Sequence, residues 1–231
     1  FSTIEFGGDG SRPSPGRRRR CSEYYTTNPF IGFAGAPWTV ATYMVAGRGS
    51  KDQGETRRFA YRDERAFAEI IDAIVDLTAE YLARQIEAGV EAVQLFDSWA
   101  GSLSPQQFER WVVAPNAAIV SALRERCPGV PVIGFPKGAG GKLPAYARET
   151  GVDAVGLDET VDPHWAHASL PDGLPVQGNL DPALLAAPYI EPARIAHAFF
   201  GGIAFVLVAR QRKSLGLQSS PTLPTTWWGS S

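Results

Sequence analysis

The sequence predicts an α/β fold of the (β/α)8 barrel type, incomplete in this chain. Three observations carry that prediction. Five short apolar runs, each ending in a polar residue or glycine, recur along the middle of the chain. Amphipathic stretches with helical spacing lie between them, so strand and helix alternate with short connections, the pattern of parallel strands joined by right-handed crossovers. No G-x-G-x-x-G follows any run, which counts against a dinucleotide-binding version of the alternative, an open doubly wound sheet.

The runs are Phe30–Gly35 (FIGFAG), Ala92–Asp97 (AVQLFD), Val130–Phe135 (VPVIGF), Asp153–Asp158 (DAVGLD) and Leu174–Asn179 (LPVQGN). Each has the length and continuous apolar character of a strand buried on both faces. After the first comes a short helix-like run, PWTVATYMVA, and a glycine-rich tail. Before the second lies the clearest helix, in which Phe67, Ile70, Ile71, Ile74, Leu77, Tyr81, Leu82 and Ile86 recur at helical spacing and Gly89 supplies the stop. A third helix opens at SPQQ. Ser104 suits the cap, Pro105 the first helical position and Gln107 a reciprocal capping bond. Pro115 interrupts that helix and predicts a kink. Arg148, Glu149 and Gly151 close a further helix before the fourth run.

The chain has 231 residues, 44% hydrophobic and 20% charged, a globular balance sufficient for one domain. A formal net charge of -2 predicts no general affinity for nucleic acid. Two cysteines make no disulfide framework and fit a reducing compartment. No apolar run approaches the ~20 residues of a membrane span, and FSTIEFGGDG lacks the pattern of a signal peptide. The reading is a cytoplasmic chain that meets no membrane. Its organisation is an irregular segment over 1–27, the partial barrel over 28–202 and an aberrant tail over 203–231.

In a barrel the chemistry gathers at the C-terminal ends of the strands, so the residues after each run are the candidates. Tyr43 has two readings, a hydroxyl that donates to a substrate carboxylate or a ring anchored in the core. Ser98 either binds a carboxylate or caps a helix. Asp97 is an acid or a strand-end ligand to backbone amides. Lys137, among glycines, suggests an anion site or a surface loop, since KGAGGK lacks the spacing of a phosphate loop. Asp158 orients other side chains or packs against a neighbouring strand end. His164 and His167 can share a helix face, but no third ligand stands at metal-binding spacing. No G-x-S-x-G elbow supports a serine nucleophile. The Arg17–Arg20 block reads as a solvated tail.

Four motifs in order, IGFAGAPWTVATYMVAGRGS, LFDSWAG, VGLDETV and VQGNLDP, resemble the uroporphyrinogen decarboxylase family over about Asn28 to Gly202. IEFGGDG near the start is similar to a segment just upstream in that family. The resemblance implies a single (β/α)8 barrel that works as a cytoplasmic homodimer, without metal or organic cofactor. It implies removal of CO₂ from the four acetate arms of uroporphyrinogen III to give coproporphyrinogen III, in haem and chlorophyll synthesis. By motif position Tyr43 and Ser98 match the family's substrate-binding tyrosine and serine, and Phe96 matches a wall of the pocket. The family's arginine-bearing RQAGRY-type segment and the FSDI-type segment that carries its aspartate do not occur, nor does its NLGHG motif after Gly202. The histidine role is not carried onto His197, and the catalytic residues of this chain are unknown. Frameshifts are expected across Arg17–Thr27 and at GGIAFVLVARQRKSLG, with loss of activity in this form. Two rival readings are a non-catalytic relative that binds a tetrapyrrole and a corrinoid-related methyltransferase of similar barrel fold.

Overall fold

The structure, a computed structural model, describes residues 30–48 and 52–181. The expected irregular segment at 1–27, the tail at 203–231, the Arg17–Arg20 block and both expected frameshifts lie outside the described residues, as do residues 182–202 of the partial barrel.

All five apolar runs form strands: β1 (Ile31–Gly35), β2 (Ala92–Asp97), β3 (Val132–Pro136), β4 (Ala154–Gly156) and β5 (Val176–Gln177). They pair in parallel in the order β1-β2-β3-β4-β5. That order separates the two architectures left open by the sequence. A doubly wound sheet reverses direction at a switch point and covers both faces with helices. Here every step moves the same way, so one face receives the helices and the other is left to the inside of the curling sheet, as in a barrel. The arc of described strands is not closed.

Seven α-helices lie among the described residues: α1 (Pro37–Ala46), α2 (Gly54–Arg62), α3 (Glu64–Glu87), α4 (Pro105–Phe108), α5 (Ala114–Arg126), α6 (Leu143–Glu149) and α7 (Pro163–Ser169). Asp63 caps α3 by accepting from the Ala66 N–H at 3.0 Å. Phe67, Ile71, Ile74 and Leu82 of α3 are buried, as the spacing predicts, and Thr78 is buried with them. Leu77 and Tyr81 are not. Leu77 is 70% exposed, because the apolar stripe of α3 is wider than the surface it covers. The uncovered flank lines an open groove with Ala34, Gly35 and Met44 along the β1 edge. Gln85 of α3 serves that edge: its amide accepts from the Phe33 N–H at 2.9 Å and donates to the Phe33 carbonyl at 3.0 Å. Both strand groups point away from β2 and would otherwise depend on water.

The SPQQ helix departs from expectation in one detail. Ser104 takes the cap position but makes no side-chain capping bond. Gln107 accepts from the Trp111 indole N–H at 2.8 Å, so the capping box does not form. The kink expected at Pro115 is a π-helical turn over Glu109–Val113 just before it. Pro115 follows that turn inside a continuous helical run, since Val113 and Ala114 are themselves helical, and the wider turn is where the ladder accommodates its ring and missing N–H.

The core sits between sheet and helices. Phe67 is its hub, with its ring edge-on to Trp111 at 4.9 Å, Phe59 at 5.6 Å and Trp38 at 5.8 Å between centroids. Gly134 of β3 is required by this packing. A Cβ there would stand 2.5 Å from the buried Tyr146 hydroxyl.

Candidate functional site

The C-terminal ends of β1 and β2 are fastened to each other, and that fastening places the candidate residues. Ala36, just past β1, donates its N–H to the Phe96 carbonyl at 2.8 Å. Helix α1 starts there, with Pro37 in its first turn. The Trp38 indole donates to the Trp99 carbonyl at 3.1 Å. Thr39 makes the second tie. Its hydroxyl donates to Asp97 Oδ1 at 2.6 Å and accepts the Trp99 N–H at 3.3 Å. Tyr43, one turn further along α1, is half exposed, with its ring 6.4 Å from that of Trp99. Ser98 is exposed beside Trp99. The structure therefore sets Tyr43 against Trp99 with Ser98 next in the chain, and of the two readings for Tyr43 the core anchor fails on exposure.

Phe96 faces the other way from the helices. The strand register puts Phe33, Gln94 and Ile133 in one row on the uncovered face, and Gly35, Phe96 and Phe135 in the next. Phe96 is edge-on to Phe33 at 6.0 Å and to Phe135 at 5.7 Å. Gly156 makes room for this row, since a Cβ there would meet the Phe135 ring at 2.5 Å. Deeper in, Gln177 donates to Gln94 at 3.0 Å. The result is an aromatic floor with a polar crosslink beneath the rim that carries Tyr43 and Ser98.

Asp97 and Asp158 resolve toward structure. Asp97 is fully buried on the helix side of β2, and burial pushes its carboxyl up to about 7 against the opposing pull of the Thr39 hydroxyl, the Thr39 N–H and the Asn116 amide. Asp158 accepts the Gly138 N–H at 2.7 Å, the Thr160 N–H at 2.9 Å and the Thr160 hydroxyl. Burial opposes its charge, but the Thr160 hydroxyl and these amides outweigh it and hold the carboxyl below its usual range. Lys137 is ion-paired with Glu159 at 3.0 Å, so the proposed anion site is already answered by a carboxylate. The Lys142 ammonium donates to the Leu103 carbonyl at 2.7 Å and the Gly101 carbonyl at 3.3 Å, and bolts the loop after β2 to the one after β3. His164 and His167 are exposed on α7. Among the described residues, no three His, Cys, Asp or Glu side chains cluster to hold a metal ion, and no helix is long and apolar enough to cross a membrane.

Sequence reasoning passed over Thr39, Asn116 and Tyr146. A threonine inside a helix and an asparagine after a proline carry no signal of their own. Their role comes from burial against a strand 58 residues from Thr39.

Residues 18–200 match the family model described as uroporphyrinogen decarboxylase (URO-D). The chain belongs to the uroporphyrinogen decarboxylase family. It is 76% identical over 158 residues to the uroporphyrinogen decarboxylase of Rhizorhabdus wittichii, across 68% of this chain and 46% of that protein. The corresponding protein of Sphingopyxis alaskensis is 73% identical over the same shares, and that of Novosphingobium aromaticivorans is 65% identical over 73% of this chain and 51% of its own length. The chain thus spans about half the length of the curated relatives it matches. A solved structure, that of 2,3-dimethylmalate lyase, aligns over 92% of this chain at 16% identity with a TM-score of 0.36, too distant to bear on the fold.

Proposed function

We propose that this chain carries half of a substrate site for uroporphyrinogen III, and that the protein it represents removes CO₂ from the four acetate arms to give coproporphyrinogen III. The observation that carries the reading is the pairing of a polar rim, Tyr43 and Ser98, with an aromatic floor, Phe33, Phe96 and Phe135, at the strand ends of a chain 76% identical to a uroporphyrinogen decarboxylase over 158 residues. A tetrapyrrole asks for both. Its rings need a flat apolar surface, and its carboxylates need hydroxyl donors at the edge.

Each arm loses CO₂ and gains a proton, which leaves a methyl group. The electron pair of the broken C–C bond passes into the pyrrole, itself the sink once protonated at a ring carbon, so no organic cofactor or metal is required. Positive charge grows on the ring in the transition state, and a fixed carboxylate facing it lowers that barrier. Among the described residues neither buried aspartate serves: Asp97 is turned to the helices and Asp158 is spent on its own loop. With no such carboxylate facing the floor among them, we expect binding without efficient turnover from this chain. The homodimer and the cytoplasmic setting belong to the same reading and rest on the family.

Titration with uroporphyrin I, the stable oxidised octacarboxylate, tests it by fluorescence. Saturable binding that weakens about tenfold in Tyr43→Phe or Ser98→Ala supports the site, a loss in keeping with one charge-assisted hydrogen bond. Binding indifferent to both substitutions overturns it. Anaerobic incubation with uroporphyrinogen III, with products separated by carboxylate number, tests turnover, and efficient conversion overturns the account of the absent carboxylate. The non-catalytic relative predicts the same two outcomes for this chain; the turnover assay on a chain of the curated relatives' full length separates it, since the decarboxylase reading expects conversion there. No donor cluster among the described residues favours the corrinoid-related methyltransferase.

A further inference from the structure

The buried face behind the rim holds a polar group that the proposed chemistry does not use. Helix α1 begins without a cap of its own: Ala36 stands at the cap position, with no side-chain bond, and no acidic residue occupies the first turn. The first N–H groups of a helix need an acceptor and favour a negative or polar partner. Asp97 supplies it from the end of β2. Its Oδ1 takes the Thr39 hydroxyl at 2.6 Å, and the Thr39 N–H of the same first turn faces the carboxyl. The chain of bonds then runs Trp99 N–H to Thr39 hydroxyl to Asp97. One carboxyl thus joins the start of the helix that bears Tyr43 to the turn that bears Ser98.

We propose that Asp97 is a positioning residue of the tetrapyrrole site, a cap supplied by β2 to α1 that holds Tyr43 and Ser98 in register through Thr39. The proposal rests on the substrate reading above only for the identity of the ligand. Its geometry stands without it. The surroundings of Asp97 fit a fixed rather than a reactive group. Asn116 of α5 lies beside it, and Tyr146 of α6 is the titratable group near enough to feel its charge. Asp97 Oδ2, Asn116 Oδ1 and the Tyr146 hydroxyl are all buried without a partner. Asn116 Oδ1 only accepts, the Tyr146 hydroxyl can donate as well as accept, and Asp97 Oδ2 becomes a donor only when it carries a proton.

Hydrogen exchange on the full chain, read by peptide, separates positioning from bulk stability. In Asp97→Ala, peptides covering 37–47 and 97–103 should exchange about tenfold faster, the loss expected when the Thr39 hydroxyl is left without its buried acceptor, while β4 and α7 stay unchanged. Asp97→Asn keeps an acceptor for Thr39 and should restore protection. Faster exchange everywhere, or in neither peptide, overturns the proposal. Should Asp97→Ala fail to fold, Thr39→Val breaks the same link and must give the same two-peptide pattern, with Thr39→Ser as the rescue. Uroporphyrin I binding then reads the consequence. Thr39→Val should weaken it about tenfold and Thr39→Ser should leave it within about threefold; equal binding by Thr39→Val overturns the positioning role. If the unmodified chain binds no uroporphyrin, the substrate reading falls, and the exchange pattern still decides the link.

Discussion

The two faces of the sheet are built to different rules. On the helix side, Val93, Leu95, Asp97, Val132 and Val155 are buried, and even the polar atoms there are held by neighbours from α1 or crowded by α5 and α6. On the other side, Ile31 and Phe33 of β1 lie open, and Phe96 and Phe135 are only partly covered. The same strands thus present a finished core on one face and, on the other, a surface that is open along β1 and buried further in at Gln94, Ile133 and Ala154. Stability should reside on the first face and recognition on the second.

Substitutions can break that division. The largest effect belongs to Phe67→Ala, which removes a fully buried ring from contact with three other aromatics. We expect a loss of about 3–5 kcal/mol in urea denaturation, because the cavity adds to the lost transfer energy. A value under about 1 kcal/mol would show that the helix side is not the core. Gly156→Ala should come next. Its Cβ would collide with the Phe135 ring at 2.5 Å, and a ring on the uncovered face can swing away, so about 1–3 kcal/mol is expected, with uroporphyrin I affinity falling as the aromatic floor shifts.

Asp97 tests the buried polar face by pH. Its folded carboxyl titrates near 7, above the unfolded value of 3.8, so the folded state binds the extra proton between those limits. Stability should fall as pH rises from about 4 to about 7 and level off above, by a few kcal/mol at roughly 1.4 kcal/mol per unit. Asp158 acts oppositely: its depressed carboxyl contributes stability that is lost only as pH falls through its folded value. Denaturation of the natural chain against Asp97→Asn over pH 4.5–8 isolates the first slope. Parallel curves would mean that Asp97 is ionised in the fold.

The sequence made the strands legible because each is a continuous apolar run bounded by breakers, and β2 coincides with its run residue for residue. β4 and β5 shrink within theirs, since the flanking residues bend into loops such as the one Asp158 ties down. Helix α2 went unread: GETRRFAYR is nearly all polar, and only Thr56 and Ala60 are buried. Tyr43, Ser98 and Phe96 are candidates from their motifs, and the structure shows Tyr43 and Ser98 exposed at the strand ends and Phe96 half-buried among aromatic rings. The Thr39–Asp97 link was not legible, because two polar residues far apart in sequence announce a hydrogen bond only when the fold removes the water between them.

The smallest predicted effect sharpens the comparison most. Phe33 is 62% exposed, touches Phe96 edge-on and lies on the uncovered face. Phe33→Ser should change stability by no more than about 1 kcal/mol, since the ring is mostly exposed and loses little besides its edge contact with Phe96. The same substitution should weaken uroporphyrin I binding severalfold, because the ring belongs to the floor on which a flat tetrapyrrole would rest. A side chain that is nearly free for folding and costly for binding is what a recognition face requires. If Phe33→Ser instead unfolds the chain while binding by the folded remainder is unchanged, the uncovered face is core, and the division between the two faces fails.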